Sequence, residues 1–68
     1  MDNKTITIEN EKFVVLKEDA EHEEILVRLV DGDYYQMPFA IVKGFDAEYE
    51  CSDKLVRFET LEEALEQF

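Results

Sequence analysis

Sixty-eight residues make one domain and not two, and eighteen Asp and Glu against seven Lys and Arg give a formal net charge of −11. That field repels phosphates and anionic headgroups, so it argues against direct binding to nucleic acid or membrane, while basic surfaces of other proteins are attracted to it. A hydrophobic fraction of 46%, with five Phe and three Tyr, excludes a disordered acidic tail, although a chain this short buries only about 60% of its unfolded surface and has a thin core.

In chain order, Thr5 to Glu9 alternate with a period of two and rich β-branching, which predicts a half-buried strand. Asn10 and Glu11 form a tight turn. Lys12 to Lys17 is an unbroken apolar run between two lysines, the pattern of a strand covered on both faces and central in its sheet. The acid-rich segment 18–24 reads as a solvated loop, the alternative being a helix start, since carboxylates suit a helix N-terminus. Ile25 to Val30 is a strand, and Asp31-Gly32 supplies the turn of a two-residue hairpin. Residues 34–42 return as a strand in which Pro38, with no N–H to give, marks an edge, a bulge or a break.

Lys43-Gly44-Phe45 turns the chain. Asp46, Glu48 and Glu50 then alternate with Ala47, Tyr49 and Cys51, which predicts a strand with an acidic outer face and an apolar inner one. Ser52-Asp53-Lys54 is a turn and Leu55 to Phe58 a last short strand. Thr60 and Glu63 form a capping box, with Leu61, Ala64, Leu65 and Phe68 as one apolar stripe. The expected fold is a small α+β domain over residues 1–68: an antiparallel sheet of four to six strands with one C-terminal helix packed on one face.

Candidate chemistry is sparse. His22 is the only histidine and lies among acids that favour its charged form, yet a solvated loop histidine explains it as well. Cys51 has acids beside it, which oppose a reactive thiolate, and reads as a small hydrophobe on the inner face of its strand. One cysteine is also not the even set of a small secreted domain. With no apolar run suited to a signal peptide or a membrane span, a cytoplasmic protein is expected. Asp31-Gly32-Asp33 lacks the remaining oxygen ligands of a calcium loop, and there is no Cys/His metal spacing or Gly-rich phosphate loop. The expectation is therefore a non-catalytic protein with no cofactor and no metal.

The acidic segments have functional reach. Along a strand, Asp46, Glu48 and Glu50 would stand roughly 6.7 Å apart on one face, a spacing comparable with successive phosphates. Glu59, Glu62, Glu63 and Glu66 form a second row on the helix, and Asp31 and Asp33 add charge at the hairpin. Tyr34, separated by parity from Tyr35, Met37 and Phe39, is the aromatic candidate for an interface. Together these ten residues are the expected partner-binding surface. The first functional reading is a protein-binding module that occupies a basic, nucleic-acid-binding groove of a partner. In size and charge the chain is similar to small phage or mobile-element proteins directed against host nucleases, such as anti-CRISPR proteins. The second is a structural or regulatory accessory protein that forms a homodimer through its sheet edge or helix face.

Overall fold

A computed structural model of the chain describes residues 4–68. Five strands, β1 (Thr5–Ile8), β2 (Glu11–Asp19), β3 (Glu24–Asp31), β4 (Phe39–Lys43) and β5 (Lys54–Phe58), precede one helix, α1 (Leu61–Gln67). The strands are antiparallel and lie in the sheet in chain order, so the fold is the small α+β architecture that the sequence predicts.

The local chemistry of the turns sets the register. Glu9 and Asn10 both have positive φ, 48° and 71°, and join the pair Ile8↔Glu11. Two left-handed residues match the twist of a two-residue hairpin. The turn therefore lies one residue earlier than Asn10-Glu11: Asn10 enters the left-handed region cheaply, but Glu9 must enter it too. β2 also outlasts its apolar run, because Glu18 pairs with Ile25 and Asp19 with Glu24. Of the segment expected to be a loop, Ala20 to Glu23 alone form the turn.

Two register irregularities in the β2–β3 ladder, between Lys12 and Phe13 and between Val15 and Lys17, increase twist and coil the sheet. The coiling brings Arg57 of β5 onto Glu11 of β2, Nη2 to Oε1 at 2.6 Å, although β3 and β4 lie between those strands in the sheet. Inside the curl, Ile6, Ile8, Phe13, Val27, Leu29, Ala40 and Val42 form the main core. On the outer face Leu26, Ile41 and Ala64 form a smaller one beneath α1, with Leu16, Phe39, Phe58 and Phe68 packed against it.

Further sequence expectations are corrected. Residues 34–42 are not one strand. Met37 N–H donates to the Tyr34 carbonyl at 3.1 Å in a turn, Pro38 marks the break, and β4 begins at Phe39. Because Arg28 pairs with Phe39, the connection is a loop from Gly32 to Pro38 and not a two-residue Asp-Gly hairpin. β4 is also interior, between β3 and β5, so of the three alternatives Pro38 marks a break and not a sheet edge.

Residues 46–51 are likewise not a strand. Asp46 and Cys51 form an isolated bridge around a turn. The Asp46 carboxylate accepts from Glu48 N–H at 3.0 Å and Tyr49 N–H at 3.4 Å, and Glu50 is left-handed at φ 52°. An Asp side chain that binds the backbone two and three residues on competes with strand pairing. Cys51 is consequently exposed and not on an inner face.

The helix starts as its sequence predicts, with Thr60 Oγ1 accepting from Glu63 N–H at 3.2 Å. It packs on β4 and β5. Its apolar stripe is used unevenly: Ala64 is buried, but Leu61 and Leu65 each remain 40% exposed. Among the described residues no helix is long and apolar enough to cross a membrane.

Candidate functional site

The expected binding residues are on the surface but not on one face. β4 runs from Phe39 to Lys43 and β5 returns from Lys54 to Phe58, so Asp46, Glu48 and Glu50 lie in the loop at one end of this hairpin and Glu59 just beyond the other. All four are exposed. The even row of carboxylates expected from an extended strand gives way to charges spaced around a tight turn, with Tyr49 in it 73% exposed. That turn is tied to the β1–β2 hairpin by a hydrogen bond from Glu9 N–H to the Glu50 carbonyl at 3.0 Å.

Glu62, Glu63 and Glu66 are exposed on α1 as predicted. Glu62 and Glu63 occupy the first turn, where the helix dipole favours negative charge. Asp31 ends β3 and Asp33 lies in the loop that follows, both exposed. Tyr34 has an internal use: the Arg57 guanidinium stacks 3.9 Å from its ring centroid and 6.0 Å from that of Phe13. A cation desolvated between two rings is held by their quadrupoles. Half of Tyr34 thus anchors the loop and the other half faces solvent.

Charge compensation across this surface is slight. Among the described residues one carboxylate is ion-paired with a Lys or Arg, Glu11 with Arg57, while Asp19 contacts His22, which is charged only when protonated. His22 Nδ1 lies 2.8 Å from Asp19 Oδ2, and His22 N–H donates to Asp19 Oδ1 at 3.3 Å, which fastens the β2–β3 turn. The side-chain hydrogen bond to His22 is the largest cause holding the Asp19 carboxyl below its usual range. Asp19, Glu21 and His22 could converge on a cation, but they are solvated groups of one turn whose hydrogen bonding the turn itself explains.

The coiling also builds a feature for which the sequence has no local signature. An open groove of about 660 Å³ lies between the β1–β3 sheet and the segment from Gly44 to Asp53. Ile6, Val15, Ile25 and Phe45 line it with apolar surface, and Glu18, Glu23, Asp46 and Asp53 line it with carboxylates. Gly44 makes this packing possible: at φ 65° it is left-handed, and a Cβ there would collide with the Asp53 carboxylate. Gly44 N–H donates to the Glu23 carbonyl at 3.2 Å, and Asp53 N–H to the Lys43 carbonyl at 3.0 Å. Asp46 alone of the groove's four acids is among the expected binding residues. Of the other three, Glu18 and Glu23 lie close together about the β2–β3 turn, and Asp53, distant in sequence, joins the same groove through the curl of the sheet.

No buried polar or charged residue occurs among the described residues. Glu11 and Arg57, with side chains 12% and 17% exposed, engage each other. Comparison with known families, curated proteins and solved structures finds no match to this chain.

Proposed function

We propose that the chain is a non-catalytic acidic protein-binding module that captures a basic surface of another protein. Its concrete form is an inhibitor that occupies a partner's nucleic-acid-binding groove. The observation that carries this reading is the uncompensated surface: a net charge of −11, with Glu11 alone among the described carboxylates ion-paired to a Lys or Arg. Ordinary protein surfaces intersperse both signs. A predominantly negative one steers toward cationic sites and away from phosphate. The reading rests on charge and exposure rather than on a regular phosphate-like row, because residues 46–51 form a turn.

The test is capture of partners from the native host extract on immobilised protein, followed by competition with duplex DNA and RNA. The expected result is a partner with a Lys- and Arg-rich groove that nucleic acid displaces from the module. Simultaneous binding of module and nucleic acid would contradict the groove-blocking form. Capture indifferent to salt would contradict the electrostatic reading.

A further inference from the structure

The groove beside the β4–β5 loop combines two properties that suit one kind of side chain. It is an open groove whose volume of about 660 Å³ falls within the range of ligand-binding clefts. Its floor is apolar, with Ile6 buried and Val15, Ile25 and Phe45 half-buried. Glu18, Glu23, Asp46 and Asp53 line it against a single cation, Lys4. Arginine and lysine carry an aliphatic stem and a cationic head, and they bury the first while keeping the second among polar groups. Arginine is the better match, because its guanidinium donates to two carboxylates at once and is more weakly hydrated than an ammonium. An acidic residue meets repulsion at the same rim, and a purely apolar one forgoes the charge complementarity.

We infer that this groove is the docking pocket for an arginine of the partner, presented between apolar residues that cover the groove floor. The inference rests on the proposed capture of a basic protein and adds where a specific anchor residue enters. Cys51 lines the groove and is exposed, so it reports occupancy without being part of the recognition chemistry.

The experiment is an amide-resolved NMR titration of the full chain with three probes: the blocked tripeptides Leu-Arg-Leu and Leu-Glu-Leu, and hexalysine. Leu-Arg-Leu should shift Val15, Ile25, Phe45 and Cys51 and slow alkylation of the Cys51 thiol, whereas Leu-Glu-Leu should do neither. The double variant Glu18→Lys, Glu23→Lys, both exposed positions, should bind Leu-Arg-Leu about tenfold more weakly, as expected for reversing two surface charges. Its amide spectrum checks that it is folded, and wild-type protein already alkylated at Cys51 should lose the groove response independently of any substitution. Equal response to both tripeptides, or no groove response to Leu-Arg-Leu, overturns the inference. If hexalysine shifts Glu62, Glu63 and Glu66 while the groove stays silent, the arginine pocket falls and the acidic-capture reading stands. If hexalysine shifts nothing either, both fall.

Discussion

Arg57 closes the mouth of the curled sheet by pairing with Glu11 and stacking on Tyr34. Removing one member of such an enclosed pair strands the other. Arg57→Ala should therefore cost about 2–4 kcal/mol, toward the lower end for a pair that keeps some solvent contact. Replacing both Glu11 and Arg57 by Met should recover much of that loss in urea denaturation. Gly32 belongs to the same cluster: a Cβ there would lie 2.5 Å from Glu11 Oε2 and 2.8 Å from Leu29 Cδ1. Gly32→Ala should thus destabilise by about 1–3 kcal/mol through overpacking. None of this was legible in the sequence, where Glu11 and Arg57 are distant from each other and from the loop that holds Gly32 and Tyr34. Asp19 offers a pH test. Its carboxyl is held below the usual range by His22, so its contribution is present above the unfolded carboxyl's pKa and is lost as pH falls through the lower folded value. An NMR titration should show that low midpoint, and His22→Ala should raise it toward an ordinary aspartate.

At the scale of elements, strand and helix content was readable where local chemistry and burial agree. The β-branched alternation of β1, the apolar run of β2 and the N-cap at Thr60 all fold as their patterns predict. The alternation from Asp46 to Cys51 carries the same period without a core to receive it, and side-chain hydrogen bonds from Asp46 bend it into a turn. The helix shows the converse limit. Its stripe identifies which side is apolar, but the rotation onto β4 and β5 selects Ala64 as the buried centre. The consequence is a reversed ranking of substitutions. Leu65→Ala, at a 40% exposed site, should cost less than the about 2–5 kcal/mol typical of a buried leucine, whereas Ala64→Leu should cost about 1–3 kcal/mol by overpacking. Thr60→Ala should remove about 1 kcal/mol with its cap. Thermal melts of the three variants check the order, and a large loss at Leu65 alone would contradict the observed helix rotation.

For the whole molecule, composition constrains partner chemistry more directly than it constrains the position of a site. The excess of carboxylates is plain in the sequence. Their distribution over both ends of the β4–β5 hairpin and the helix surface is a product of topology, as is the groove formed when the sheet coils against its 44–53 loop. Reversing charges that have no turn or core role separates steering from folding. Glu48 and Glu66 are exposed, so their replacement by Lys should lower the association rate with a basic partner while leaving the melting temperature nearly unchanged. The most direct test of electrostatic capture is calorimetric titration of the isolated partner at several ionic strengths. Affinity should fall steeply as added salt brings the screening length down to about 8 Å and below. An affinity that stays flat or rises with salt would contradict capture through the acidic surface.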